Sequence, residues 1–151
     1  MTGVLVVGYG NSLRTDDGVG WHAAGRLVGD PRLDGAEVIT CHQLTPELAA
    51  DISQASLVVL VDASSAGDPG SVSVRWIRPR SATPASWSHH LDPETLAGLA
   101  GSLYGAVPPI VLVSVAAGSF AEGDRLSDPL QRALCEVVEV VAGVITGQHR
   151  P

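Results

Sequence analysis

The chain has 151 residues, the size of one ordinary domain, so one compact unit is expected over residues 1–147 with a short tail at 148–151. Nine Lys and Arg against sixteen Asp and Glu leave a net charge of −7, which gives no general attraction to phosphate backbones or anionic lipid. Nucleic acid and membrane surfaces are therefore excluded as expected partners, and an apolar content of 45% indicates a globular chain.

The opening Met1-Thr2-Gly3-Val4-Leu5-Val6-Val7 has no basic start and too short an apolar stretch for a secretory leader. No apolar run approaches the ~20 residues that cross a bilayer. Cys41 and Cys135 are a distant pair without C-x-x-C spacing, so neither a disulfide scaffold nor a thiolate zinc knuckle fits. A soluble, cytoplasmic protein is expected.

The continuous Val and Leu run at 4–7 predicts a first strand buried on both faces. A helix follows Asp16-Asp17 and runs through Trp21 to about Val28. A second strand is predicted at 37–40, then a helix announced by Thr45-Pro46-Glu47, with Thr45 as N-cap and proline at the first helical position. The third strand, 57–61, ends directly on Asp62. Residues 71–76 alternate apolar and polar, as a half-exposed edge strand does. Asp92-Pro93-Glu94 opens a third helix, with Leu96, Leu99 and Leu103 on one face. A fifth strand is predicted at 110–115. The last helix starts near Ser127-Asp128-Pro129 and carries Leu130, Leu134, Val137, Val138, Val141 and Ile145 as a core stripe. Strands alternating with helices make this an α/β layer fold.

In such a fold, ligands bind beyond the carboxyl ends of the strands. Three segments are expected there: Gly8 to Gly20 after the first strand, Asp62 after the third, and Ser88-His89-His90 after the fourth. A dinucleotide loop would need glycine at position 13, which is Leu13, and the acids at 16 and 17 would repel a pyrophosphate. No G-x-x-x-x-G-K-[ST] loop and no G-x-S-x-G elbow occurs. What remains is two carboxylates and an imidazole, a mixed oxygen and nitrogen set that suits nickel or zinc better than calcium. Plainer roles are available to each member. Asp16 can cap the first helix, Asp17 can complement its dipole, and Asp62 can anchor a turn. His89, like His22, His42, His90 and His149, can be an ordinary surface histidine.

The segment Gly8-Tyr9-Gly10-Asn11-Ser12-Leu13-Arg14-Thr15-Asp16-Asp17-Gly18-Val19-Gly20 resembles the opening G-x-G-N-x-L-x-x-D-[DE]-G-x-G signature of the hydrogenase maturation proteases. The likeness continues through His42-Gln43-Leu44-Thr45-Pro46-Glu47-Leu48, Val61-Asp62-Ala63, Ser88-His89-His90-Leu91-Asp92-Pro93 and Gly123-Asp124-Arg125-Leu126-Ser127. It covers nearly the whole chain in order. The first block is specific; Val-Asp-Ala and the last block are not specific alone.

The resemblance implies a three-layer fold, with a twisted, mostly parallel five-stranded sheet between helices on both faces. It implies an endopeptidase that removes the C-terminal extension of a nickel-iron hydrogenase large subunit after nickel insertion. The family's metal-contacting positions fall on Asp17, Asp62 and His89, with nickel borne by the substrate; other divalent ions such as zinc or cadmium could fill the same site. The first position is Glu or Asp in the family, so Asp17 is a variation within its pattern, and His89 is chosen over His90 by its place after Ser88. Asp16, Asp17 and Asp62 are the candidate catalytic carboxylates. Asp16 acting as general base on water is one route, and a metal-polarised carbonyl is the other. Gly8, Gly10 and Asn11 form the expected substrate loop, with Asn11 and the loop amides as oxyanion donors. A rival of another class is a non-catalytic, metal- or precursor-binding maturation chaperone using the same pocket.

Overall fold

The computed structural model describes residues 3–81 and 91–147. Among these residues five strands form one sheet: β1 (Val4–Tyr9), β2 (Glu37–Cys41), β3 (Leu57–Ser64), β4 (Val72–Trp76) and β5 (Ile110–Ala116). Their order is β2-β1-β3-β5-β4. The first four in that order are parallel, and β4 runs antiparallel to β5 at the edge. Its alternating sequence suits that position, because an edge strand there has one face to bury.

The central strands are apolar on both faces because helices cover both. Val6, Val59, Val61, Val111 and Val113 pack with α1 (Val19–Leu27) and α4 (Asp128–Ile145). Leu5, Val7, Val58, Leu60 and Leu112 alternate with them and pack with α2 (Leu48–Gln54) and α3 (Pro93–Tyr104). The period-2 alternation of strand side chains thus divides one sheet between two apolar layers. The expected three-layer architecture is the one observed.

Local signals set the helix ends. Asp92 caps α3 by accepting from the Thr95 amide at 2.7 Å, Pro93 fills the first position, and Gly105 closes the helix in the left-handed region at φ 74°. The stripe on α4 is buried from Leu130 to Val141, and Ile145 is partly buried at its end.

Three expectations need correction. The α-helix after Thr45-Pro46-Glu47 begins only at Leu48, because the Leu48 amide closes a three-residue turn onto the Thr45 carbonyl at 3.1 Å. Leu103 is exposed; the buried face of α3 is Leu96, Ala97, Leu99 and Ala100, and its last turn faces solvent. β3 does not stop before Asp62, since Asp62, Ala63 and Ser64 continue to pair with Ser114, Val115 and Ala116 of β5.

Among the described residues no helix is long and apolar enough to cross a membrane.

Candidate active site

β1 and β3 are neighbours, but the chain leaves β1 toward β2 on one side and leaves β3 toward β5 on the other. The crevice between their carboxyl ends is the topological switch point, where loops diverge and leave room for a ligand. The sequence puts Tyr9 and Gly10 on one side of it and Asp62 on the other.

Close backbone contact makes the crevice possible. A Cβ on Gly8 would lie 2.1 Å from the Gly20 carbonyl oxygen, and one on Gly20 would lie 2.5 Å from that of Val61. The start of α1 can therefore rest directly on β1 and β3. Gly10 combines a positive φ of 138° with a contact that would put its Cβ 2.1 Å from the Asp17 carbonyl oxygen. Gly8 and Gly10, the two glycines expected to resist a side chain, are both so obstructed.

The two adjacent acids separate sharply. They lie on a 3-10 turn, Thr15–Gly18, where consecutive side chains point about 120° apart. Asp16 turns inward and is 0% exposed. Its Oδ2 accepts from the Gly118 amide (2.7 Å), the Ser119 amide (2.9 Å) and the Ser127 hydroxyl (2.6 Å), and its Oδ1 accepts from the Ser127 amide (2.7 Å). Burial opposes its charge, but these bonds outweigh burial and hold the carboxyl below the ordinary value. Asp16 clasps the loop after β5 and the start of α4. It does not cap its own helix; its carboxylate is taken up by these four hydrogen bonds.

Asp17 turns toward the crevice. Its Oδ2 accepts from the Asn11 amide at 2.7 Å. Asp62 faces it from β3, close enough for the Asp17 charge to raise the Asp62 carboxyl. Asp62 is held by two hydroxyls that sequence reasoning missed: Tyr9 donates to Oδ2 at 2.9 Å and Ser114 donates to Oδ1 at 2.9 Å. Burial is the largest influence and carries the Asp62 carboxyl above the ordinary range. The Tyr9 and Ser114 bonds and the Arg75 charge pull it part of the way back. Burial, and then the charge of Asp62, raise the Tyr9 phenol well beyond its usual value, so Tyr9 remains a protonated donor. The signal for Ser114 was present, as the one hydroxyl in the apolar run of β5, directly beside Asp62 in register.

A cleft of about 260 Å³ opens beside Asp17, lined by Tyr9, Gly10, Asp17, His42, Gln43, Leu44 and Leu91. His89, the expected third ligand, lies outside the described residues, as does its neighbour His90; Leu91 on the cleft wall is two residues further along the chain. Among the described residues, no three His, Cys, Asp or Glu side chains stand together as an ion site.

The loop amides are less free than expected. Gly10 N–H bonds the Cys41 carbonyl at 3.1 Å and Arg14 N–H the Asn11 carbonyl at 3.1 Å. Asn11 N–H is spent on Asp17, and Leu13 N–H on the Asn11 side-chain oxygen at 2.9 Å. These bonds make the loop a frame for Asp17.

Similarity to solved structures agrees with this architecture. The chain superposes on the hydrogenase maturating endopeptidase HybD from E. coli with a TM-score of 0.70, at 24% identity over 95% of this chain and 93% of that one. It superposes on the NiFe hydrogenase maturation protease HycI from Thermococcus kodakarensis with a TM-score of 0.71, at 24% identity, covering 97% and 94% of the two chains. The chain has the fold of the hydrogenase maturation proteases. The hydrogenase 2 maturation peptidase from a Thaumarchaeota archaeon gives a TM-score of 0.72 at 24% identity, with 95% and 97% covered. Comparison with protein-family models and with curated proteins returns no match.

Proposed function

We propose that this protein is an endopeptidase that removes the C-terminal extension of a nickel-iron hydrogenase large subunit once nickel is in place. The observation that carries the reading is the switch-point crevice of this fold, where Asp17 is held by the Asn11 amide beside an open cleft and Asp62 is held by the Tyr9 and Ser114 hydroxyls. Nickel belongs to the substrate. Asp17, Asp62 and His89 would reach it from outside, and three protein ligands leave part of its shell to the precursor.

The geometry supports separate roles for the two acids. Asp17 is fixed through one oxygen by Asn11, which leaves the other to face the substrate. Asp62 is oriented by one hydroxyl on each oxygen, so its plane is set before anything binds. Burial raises the Asp62 carboxyl, and a cation brought by the substrate would favour its charged form. Holding the peptide beside this frame supplies rate by proximity. The free thiols Cys41 and Cys135 are compatible with a reducing, cytoplasmic setting.

Incubation with nickel-loaded precursor and mass spectrometry of the product tests the reading. Loss of the mass of the C-terminal extension supports it; stable association with the precursor at unchanged mass identifies the protein as a maturation chaperone instead.

A further inference from the structure

Two large apolar side chains stand in solvent on the loops that follow β1 and β5, at the carboxyl ends of the strands. Leu13 is 67% exposed on the loop that anchors Asp17, and Phe120 is 39% exposed on the loop between β5 and α4. Single exposed leucines are ordinary, so exposure alone says little. The way the two loops are joined says more.

The loops are stitched along their backbones. Thr15 N–H donates to the Gly123 carbonyl at 2.8 Å, Gly123 N–H to the Leu13 carbonyl at 2.9 Å, and Asp16 N–H to the Ser119 carbonyl at 3.1 Å. Thr15, held at a positive φ of 49°, adds its hydroxyl to the Ala121 carbonyl. Beneath them the buried Asp16 carboxylate grips Gly118, Ser119 and Ser127. A non-glycine residue at positive φ is tolerated only where the surroundings over-determine it. Leu13 and Phe120 are therefore carried on two loops fixed to each other, and such a preorganised surface loses little entropy when a partner covers it.

We infer that Leu13 and Phe120 form an apolar docking ridge for the folded body of the large-subunit precursor, next to the carboxylates and not among them. This rests on the endopeptidase reading above. The occupant follows from continuity: Asn11, two residues before Leu13, holds Asp17, so a protein presenting its metal and scissile bond to Asp17 must lie against this loop. A few well-packed anchors carry most of the binding energy of an interface, surrounded by contacts that matter little. The exposed Leu103 and Tyr104 lie at the far end of α3, beside the start of β5 at the opposite edge of the sheet, and serve as a built-in control.

The test is the initial rate of trimming of the nickel-loaded precursor, by mass spectrometry over a range of precursor concentrations. Wild type, Leu13→Ser, Phe120→Ser and Leu103→Ser are compared, each with its melting temperature. The ridge predicts that Leu13→Ser raises KM about tenfold with kcat and melting temperature unchanged. Phe120→Ser acts in the same direction and Leu103→Ser has no effect. Unchanged KM in both ridge variants, with wild type active, overturns the ridge and leaves the endopeptidase reading standing. A ridge variant that changes only self-association in sedimentation equilibrium overturns it in favour of a second copy as occupant. Failure of wild type to trim overturns the endopeptidase reading, and the ridge falls with it.

Discussion

The Tyr9 hydroxyl donates to Asp62 Oδ2 at 2.9 Å, joining the end of β1 to β3 across the crevice. Tyr9→Phe keeps the ring and deletes this bond. It should cost about 1 kcal/mol of stability and lower kcat about tenfold, because the Asp62 carboxylate is no longer held in one plane. The bond favours the charged carboxylate, so its loss should also move the acid limb of the activity profile to higher pH. Ser114→Ala should act in the same direction, and Ser114→Thr, which retains the hydroxyl, should restore activity. Trimming rates against pH for these variants check the prediction.

The two acids at 16 and 62 should have opposite effects on stability. The folded-state pKa of Asp16 is depressed, so its contribution is present above the unfolded value of 3.8 and is lost as pH falls through the folded value. Asp16→Asn sets an amide against buried donors and should cost on the order of 3 kcal/mol at pH 7. Asp62 is raised, so its charge costs stability at neutral pH and that cost is relieved as pH falls through its folded pKa. Asp62→Asn should be neutral or stabilising while abolishing trimming, the usual trade-off at a functional site. Urea titrations at several pH values distinguish the two.

The glycines give a third comparison. Gly10→Val places branched carbons on the Asp17 backbone at a φ that valine avoids, so it should displace Asp17 and abolish trimming. Gly25 lies in α1 with nothing within 4 Å of a new Cβ. Gly25→Ala should therefore stabilise the protein by about 1 kcal/mol with activity unchanged. Thermal melts and trimming assays on both variants check this.

Much of this was legible because the determining signals are local. The apolar runs of β1, β3 and β5 admit burial on both faces, and Asp92-Pro93 leaves little choice about where α3 starts. What could not be read depends on direction or on distant pairing. Adjacent Asp16 and Asp17 look equivalent in sequence, and only the tight turn beneath them sends one into the core and the other to the crevice. Tyr9 was an unmarked position between two glycines until β1 and β3 were set side by side. Ser127 marks the start of α4, but its hydroxyl is spent on Asp16, more than a hundred residues away.

Metal affinity tests the choice of histidine. Calorimetry with Ni²⁺, Zn²⁺ and Cd²⁺ should show weak binding to the wild-type protein that His89→Ala reduces sharply, since two carboxylates alone enclose an ion poorly. Loss of binding in His90→Ala in place of His89→Ala would move the third ligand by one residue.

In the proposed reaction Asp17 and Asp62 read nickel carried by the precursor. A mass-spectrometric time course on nickel-loaded and nickel-free large-subunit precursor, with wild type, Asp17→Asn and Asp17→Glu, tests it most directly. Wild type and Asp17→Glu should trim the loaded form, Asp17→Asn should trim it poorly, and the nickel-free form should remain uncut at any enzyme concentration. Efficient trimming of the nickel-free precursor would contradict the claim.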